Sequence, residues 1–312
     1  METIRSINDI PPFCHTGVGL GNFDGLHIGH MALINILYNA SKLSGLQSVV
    51  YTFTRHPDNV INKNKYTPLL MPPEKKEQIL GQLPIDYLFY EEFDENFARM
   101  EPADFVKNIL VDKLKIKLAV AGFNYTFGYK GEGNAVLLKK LGEQYGFTTV
   151  IVPPIKVNNE IVSSTSIREY ISNGKMEEAF YMLGRPYSII GVVETGYKLG
   201  TKLGFPTANI TPAPYLLLPS FGVYLTKTLL DGKLYNSITN VGIKPTLEIS
   251  GQKVYIETHI LNFEGSIYRK PIEVYFFHKL RDEIKFKDKN ELANQIKSDV
   301  ANATSLFSRH VV

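Results

Sequence analysis

Residues 18–30 read Val-Gly-Leu-Gly-Asn-Phe-Asp-Gly-Leu-His-Ile-Gly-His and decide how the first half of the chain folds. Thr16–Leu20 is short, small and apolar, which is typical of the end of a buried strand. Residues 31–44 carry apolar side chains at helical spacing, at positions 33, 34, 37, 40 and 43. The quoted stretch therefore joins a strand to a helix.

This junction has the features of a phosphate-binding site. The first N–H groups of a helix lack partners and its dipole is positive there, so an anion is favoured. Gly21, Gly25 and Gly29 let the backbone approach a ligand. His27 and His30 are three residues apart, which places both rings on one face of the first turn. Two such donors can stabilise charge on a transferring phosphate. The alternative is a structural loop with incidental histidines, but the glycines and the strand-to-helix setting favour function.

Composition narrows the class of protein. The chain has 312 residues, a net charge of +3 and 44% hydrophobic residues. It has no dense tract of Lys and Arg, so its charge does not indicate nucleic-acid binding. A single cysteine, Cys14, excludes an internal disulfide and a cysteine-based zinc site, and we expect it to be a buried thiol. The residues near the N-terminus do not resemble a signal peptide, and no apolar run reaches the roughly 18 residues that a membrane helix requires. We therefore expect a cytoplasmic protein with no membrane or nucleic-acid partner.

The first half alternates strands with helices. The predicted strands after residue 20 are 48–53, 87–90, 118–121 and 148–152, and the predicted helices are 31–44, 73–81, 102–114 and 135–145. This order predicts a doubly wound α/β domain, a parallel sheet covered by helices on both faces. Ligands of such folds bind beyond the carboxyl ends of the strands, where residues 21–30 fall.

The pattern changes after Gly184-Arg185-Pro186. A helical pair, 166–172 and 176–183, closes the first half. Aromatic or alternating runs then predict strands at 187–193, 222–230, 234–239, 254–261 and 272–277, with Asp231-Gly232 as a two-residue hairpin turn. We expect a small antiparallel barrel, followed by a helix over 290–306. The predicted domains are 1–184 and 185–312.

Three more segments follow strands or open helices of the first half. Thr-Phe-Thr-Arg-His-Pro, with His56, follows the second strand, and residues 121–128, with Asn124, follow the fourth. Residues 163–168, which include Ser164, Thr165 and Arg168, form a hydroxyl-rich helix start. The hydroxyls can cap the helix and do nothing more. However, a guanidinium beside exposed helix N–H groups suits a polyphosphate.

These segments resemble the prokaryotic riboflavin kinase/FAD synthetase family. The resemblance rests on GNFDGLHIGH, TFTRHP, AGFNYTFG and SSTSIR in the first half, and on GFPTANI, GVY, NVGIKPT, ETHIL and the LR to KF pair in the second. It covers essentially the whole chain. The HxGH motif alone marks a broad superfamily of adenylyl and cytidylyl transferases, whereas the ordered set is far more specific. The implied architecture is a Rossmann-like HxGH nucleotidyltransferase domain followed by a riboflavin-kinase-like barrel.

The resemblance assigns FMN adenylylation to the first half. There ATP lies over the HxGH turn, and the phosphate of FMN attacks the α-phosphorus to give FAD and pyrophosphate. By resemblance, His27 and His30 stabilise the transferring phosphate, Asn124 positions it or the flavin phosphate, and Arg168 acts at the β and γ phosphates. Further residues implied in ATP or flavin binding are Gly21, Phe23, Asp24, Gly25, Gly29, His56, Ser164 and Thr165. Mg²⁺ would neutralise phosphate charge.

The resemblance assigns riboflavin phosphorylation by ATP to the second half. Thr207 and Asn209 match residues that bind ATP and Mg²⁺, within a turn that includes Gly204 and Pro206. Glu257 matches the base that takes the proton from the ribityl hydroxyl. Without the resemblance, Thr207 and Asn209 would be turn residues and Glu257 a solvated strand residue.

The second half also departs from the family pattern. Thr195 replaces a histidine, and Leu199 and Thr201 stand where basic residues are common; Lys198 and Lys202 are candidates to compensate. Arg269 replaces a usual glycine. Each lost charged hydrogen bond to phosphate would weaken ATP binding by about 1.5 to 3 kcal/mol.

Three hypotheses follow from these residues. The first is a bifunctional enzyme that makes FMN and FAD. The second, motivated by residues 195–202, is an FMN adenylyltransferase with an impaired kinase barrel. The third is a non-catalytic flavin or nucleotide sensor, which has no need of both sets of reactive groups. The sequence leaves the oligomeric state open, with a homo-oligomer as one option.

Overall fold

Strand β2 (Thr16–Leu20) lies at the centre of the first sheet because all five of its residues are small or apolar and buried. The computed structural model describes residues 1–62, 66–194, 200, 203–243 and 254–309. Within them the chain forms two compact units, Met1–Ser164 and Thr165–Val312.

The first unit contains a six-stranded parallel sheet. Its strands are β1 (Glu2–Ile4), β2, β3 (Gln47–Phe53), β4 (Tyr87–Glu91), β5 (Ile116–Gly122) and β6 (Thr148–Val152), in the order β1-β4-β3-β2-β5-β6. From β2 the chain continues to β3 and β4 on one side of the sheet, and then to β5 and β6 on the other side. The carboxyl end of β2 is therefore at the topological switch point, where ligands of open α/β sheets bind.

Helices cover both faces of this sheet. They are α1 (Ile28–Leu43), α2 (Asp58–Ile61), α3 (Pro73–Leu80), α4 (Pro102–Asp104) and α5 (Ala135–Tyr145). One core cluster holds Phe105 and Leu138, and the other holds Leu37 and Leu80. The predicted doubly wound α/β fold is confirmed.

The structure corrects some boundaries of the predicted elements. The predicted helix 102–114 continues from α4 as a π-helix over Phe105–Lys113, with Leu114 N–H donating to the Ile109 carbonyl at 2.9 Å. Residue periodicity does not separate this bonding from an α-helix. The predicted buried thiol is wrong: Cys14 is exposed, and its neighbour Phe13 occupies the core position before β2.

The second unit contains a closed six-stranded antiparallel barrel. Its strands are β9 (Tyr187–Glu194), β10 (Ala208–Ile210), β11 (Gly222–Leu230), β12 (Lys233–Ile243), β13 (Val254–Ile260) and β14 (Pro271–Arg281), in the order β10-β13-β12-β11-β14-β9. β10 also pairs with β9, which closes the barrel. Asp231 and Gly232 have φ of 49° and 78°, as a type I′ hairpin turn requires. The predicted barrel is confirmed.

Three further α-helices, one hairpin and three short 3-10 helices (Ile7–Asp9, Phe97–Arg99 and Tyr129–Gly131) are also present in the described residues. A short hairpin, β7 (Lys156–Val157) and β8 (Glu160–Ile161), precedes α6 (Ser164–Ser172) and α7 (Met176–Leu183). The C-terminal helix is Lys289–Ser308, and its Ala303 packs against Val223, Leu225 and Ile238 on the outer face of the barrel. Among the described residues, no helix is both long enough and apolar enough to cross a bilayer.

Candidate active sites

The turn after β2 has an unusual backbone. Phe23, Gly25 and Leu26 have φ of 50°, 82° and 39°. A positive φ is rare for Phe and Leu, so the surrounding structure must hold this turn in place. The turn ends at His27, which is the N-cap of α1.

The two histidines form a stacked pair at the start of α1. The His27 Nδ1 accepts the His30 backbone N–H at 3.1 Å. A nitrogen that accepts this bond carries no proton, which places the proton of neutral His27 on Nε2. The ring centroids are 3.5 Å apart and the planes differ by 13°. The donor nitrogen of neutral His27 is therefore Nε2, and the ring that carries it stacks on His30.

Small residues and one aromatic ring set the position of this pair. A Cβ on Gly29 would lie 3.1 Å from the His27 Cε1 and Nδ1, so glycine allows the ring to fold back over the helix start. A Cβ on Gly21 would lie 3.2 Å from the Phe23 ring. That ring is fully buried and meets His30 edge-on at 5.2 Å between centroids.

Asp24 and Ser164 anchor the turn to other segments. Asp24 is 2% exposed, and its carboxylate oxygens accept the Leu70 N–H at 3.0 and 3.1 Å. The Ser164 hydroxyl donates to the Asp24 carbonyl at 2.9 Å. The structure thus brings Ser164 of the SSTSIR segment to the HxGH turn by a direct hydrogen bond.

The other predicted residues of this half lie at separate places. His56 follows β3, and its Nδ1 accepts the Asp58 N–H at 3.3 Å. Asn124 is exposed beyond β5, the strand next to β2. Thr165 and Arg168 lie on α6, within the second unit, with Arg168 one turn after Ser164.

In the barrel, strand pairing aligns polar residues from three strands. Asn209 of β10 pairs with Glu257 of β13, and Glu257 pairs with Asn240 of β12. Directly paired residues project to the same side of a sheet. The three side chains therefore form a row on one face of the barrel.

A cavity of about 500 Å³ lies at this row, between the barrel and the C-terminal helix. Its lining includes Thr207, Asn240, Glu257, Phe205, Arg281 and Asp299. The Arg281 Nη2 donates to the Asp299 Oδ2 at 2.8 Å, which ties β14 to the helix. The cavity combines apolar walls with a few polar groups, which is typical of a small-molecule site.

A second cavity of about 310 Å³ shares Thr207 with the first. Its lining also includes Pro206, Thr258 and Tyr268. The Pro206 carbonyl lies 2.8 Å from the His259 Nδ1, and Gly204, with φ of 86°, precedes it in an exposed turn. Thr207 therefore stands between two cavities.

Comparison with known proteins decides the family. Residues 12–166 match the family described as FAD synthetase, and residues 183–307 match riboflavin kinase. The bifunctional riboflavin kinase/FMN adenylyltransferase of Buchnera aphidicola from Schizaphis graminum is 36% identical over 99% of both chains. The chain belongs to the bifunctional riboflavin kinase/FMN adenylyltransferase family. The Bacillus subtilis member is 34% identical over 93% of this chain and 92% of its own.

A solved structure shares the fold of this family member. The crystal structure named as a macrolide-efflux protein from Streptococcus pneumoniae has a TM-score of 0.88 and 30% identity, over 97% of this chain and 99% of that one. The name macrolide-efflux protein belongs to the streptococcal protein and is not carried over to this chain. The likeness extends over both units.

The structure adds residues that motif reading did not single out. Asn240 and Arg281 fell within quoted family motifs, but no spacing in the sequence tied them to Glu257. Asp299 lies outside every family motif. So does Lys76 of α3, whose Nζ donates to the carbonyl of Asn22, next to the HxGH turn. The family departures Thr195, Leu199 and Thr201 lie outside the described residues.

Proposed function

We propose that this chain makes FAD in two ATP-dependent steps, phosphorylating riboflavin to FMN and then adenylylating FMN. The observation that carries the proposal is the stacked His27–His30 pair capping α1 at the switch point of the sheet. A barrel with Glu257 and Thr207 in one cavity accompanies it in the same chain. We propose that residues 1–184 carry the adenylyltransferase and residues 185–312 the kinase.

In the adenylyl step, an FMN phosphate oxygen attacks the α-phosphorus of ATP. The bond to the bridging oxygen breaks, and pyrophosphate leaves. We assign the His27 Nε2–H and His30 to the α-phosphate oxygens, where charge grows in the transition state. The catalytic effect is then positioning and electrostatics, with no covalent intermediate.

The remaining residues of this half shape the turn or bind substrate in our proposal. The buried side chains of Phe23 and Asp24 anchor the turn. Gly21, Gly25 and Gly29 let its backbone approach the phosphate closely. Ser164, Thr165 and Arg168 bind the β and γ phosphates. Asn124 and His56 are assigned to the phosphates or the flavin at the rim of the sheet.

In the kinase step, we assign Glu257 as the base that accepts the proton of the ribityl hydroxyl as that oxygen attacks the γ-phosphorus of ATP. The bond from the γ-phosphorus to the bridging oxygen breaks, and ADP leaves. The 500 Å³ cavity at Glu257 is within the size range of small-molecule pockets and is assigned to riboflavin. The neighbouring 310 Å³ cavity is assigned to ATP. Gly204 and Pro206 form its turn, and Thr207 stands where the two substrates meet.

Thr207 and Asn209 fit a magnesium ion. Both offer neutral oxygens, and Mg²⁺ is usually held by few protein oxygens together with substrate phosphates and water. When bound, the ion would neutralise charge on the phosphates. Both steps consume ATP and a flavin. We propose that the enzyme acts on these small molecules in the cytoplasm.

One assay tests this function against the adenylyltransferase-only alternative. The purified chain is incubated with ATP and Mg²⁺, with riboflavin in one reaction and FMN in another, and flavins are resolved chromatographically. We expect FMN and FAD from riboflavin, and FAD from FMN. FAD from FMN without any product from riboflavin would support an impaired barrel, as the changes at residues 195–202 suggest. No product in either reaction would overturn the proposal and favour a sensor.

A further inference from the structure

A buried lysine lies directly beneath the phosphate-binding turn. Lys76 of α3 is 6% exposed, and its Nζ donates to the Asn22 carbonyl at 3.0 Å and to the Thr52 Oγ1 at 3.2 Å. Asn22 directly precedes Phe23, the first of the three positive-φ residues of the turn. The ammonium thus binds the backbone where the strained turn begins.

Thr52 reinforces the same contact from β3. Its side chain is fully buried, and its Oγ1 donates to the Asn22 carbonyl at 2.7 Å. Two donors on different elements therefore converge on one carbonyl oxygen. A turn with three positive-φ residues persists only when its surroundings over-determine it, and these contacts help to do so.

Burial of the charged Lys76 ammonium at this position is energetically unfavourable. Burial lowers the pKa of Lys76 to about 8, although the carboxylate of Asp24 opposes that shift. Three other groups near it bear on its charge. The Tyr90 ring is 5.7 Å from Nζ, and Arg5 lies over the same ring and pairs with Glu77. Arg55 lines the same small cavity as Lys76 and Asp24. At neutral pH the ammonium is still mostly protonated, so the fold keeps a cation under the turn despite the cost of burying it.

We propose that Lys76 is a positioning residue for adenylyl transfer, fixing the Asn22 carbonyl so that the turn presents His27 and His30, and placing a positive charge behind the phosphate site. The inference rests on the proposed adenylyl transfer at that turn. In this proposal Lys76 contacts the backbone of the turn and does not contact the substrate. Its effect is on the chemical step, since the histidines it supports act on the transferring phosphate.

The test is Lys76→Met in the full chain, which keeps a long side chain and removes the charge and the donor. We expect kcat for FAD formation from FMN to fall about a hundredfold, the scale of a small misplacement of catalytic groups. KM for ATP and for FMN should change by no more than about threefold. Riboflavin phosphorylation by the barrel of the same protein should change by less than about twofold, and the retained KM values for ATP and FMN report that the first unit is folded.

The matched control is Arg5→Met. Arg5 is the other cation over the Tyr90 ring, and it pairs with Glu77 of the same helix, but its side chain is 59% exposed. We expect both activities of Arg5→Met to stay within about twofold of the unmodified chain. An equal loss of FAD formation in the two variants would overturn the proposal, since any disturbance of α3 would then suffice.

The pH dependence of kcat for FAD formation distinguishes an effect of the Lys76 charge from an effect of its packing alone. For the unmodified chain, kcat for FAD formation should decline as pH rises through about 8, because Lys76 loses its proton there. Burial raises the pKa of Tyr90, moving its titration further from this range. Lys76→Met should lack the decline. A decline that persists unchanged in Lys76→Met would overturn the electrostatic part of the inference.

If Lys76→Met does not fold, a second variant tests the inference. Thr52→Val keeps the shape of the side chain and removes one donor to Asn22, and we expect about a tenfold lower kcat for FAD formation. Unchanged kcat in a folded Lys76→Met or Thr52→Val would overturn the inference. Absence of FAD formation by the unmodified chain would instead overturn the proposed function, so the two failures are distinguishable.

Discussion

The two candidate sites are built in different ways. In the first unit, the histidines and the turn before them come from one run of ten residues, and the backbone itself forms much of the site. In the barrel, Asn209, Glu257 and Asn240 come from three strands and meet only through pairing register. The first site should therefore be sensitive to backbone changes as well as to the loss of a side chain, and the second mainly to changes of single side chains.

The largest expected effect is on the barrel. Glu257→Gln keeps the size of the side chain but removes the base, so kinase kcat should fall by about 10² to 10⁴. FAD formation from FMN should be unchanged and serves as the internal control. Both rates are measured on the same preparation by chromatography of flavins. Loss of both activities would show that the two sites are not independent.

The counterpart in the first unit is His30→Ala. Removal of one donor to the transferring phosphate should lower kcat for FAD formation at least about a hundredfold. Riboflavin phosphorylation should remain, so that FMN accumulates when riboflavin and ATP are supplied. FAD formation at the normal rate would contradict the role given to the histidine pair.

A backbone change should have an intermediate effect in the first unit. Gly29→Ala places a Cβ 3.1 Å from the His27 ring, so the ring must shift. We expect kcat for FAD formation to fall about tenfold, with kinase kcat unaffected. Steady-state rates for both steps measure this. A Gly29→Ala chain with normal FAD formation would show that the exact position of the His27 ring is unimportant.

The smallest expected effect is on stability of the barrel. Arg269, at a position where the resemblance leads us to expect glycine, has φ of 63°. Arg269→Gly should raise the free energy of unfolding by about 1 kcal/mol, because glycine adopts this conformation without a Cβ clash. Urea unfolding measures the change. The matched control is Arg269→Ala, which keeps the Cβ and should give no such gain; equal gains would assign the effect to the side chain instead.

Much of the fold was predictable because it depends on local patterns. Apolar runs and helical periods predict ten of the fourteen described strands and every described α-helix except α2, whereas the short strands β1, β7, β8 and β10 carry no such pattern. The start of α1 was missed by three residues, since the histidine cap at His27 lies before the apolar period begins. β10 has only three residues, too few for a pattern, and it was read as part of a turn.

Side-chain placement was harder to predict. The ammonium of Lys76 lies under the turn because α3 packs there, and nothing in its local sequence distinguishes it from a surface lysine. Cys14 shows the opposite error: an apolar residue type does not ensure burial when its neighbour Phe13 takes the core position.

By itself, the sequence determined the two folds, the HxGH turn and the resemblance to a two-step flavin enzyme. These depend on short-range periodicity and on residues adjacent in the chain. Only the tertiary structure decided that Asn240 stands beside Glu257, that Thr207 separates two cavities and that Lys76 supports the turn. Such contacts depend on strand register and helix packing, which join residues distant in sequence and leave no periodic signal in it.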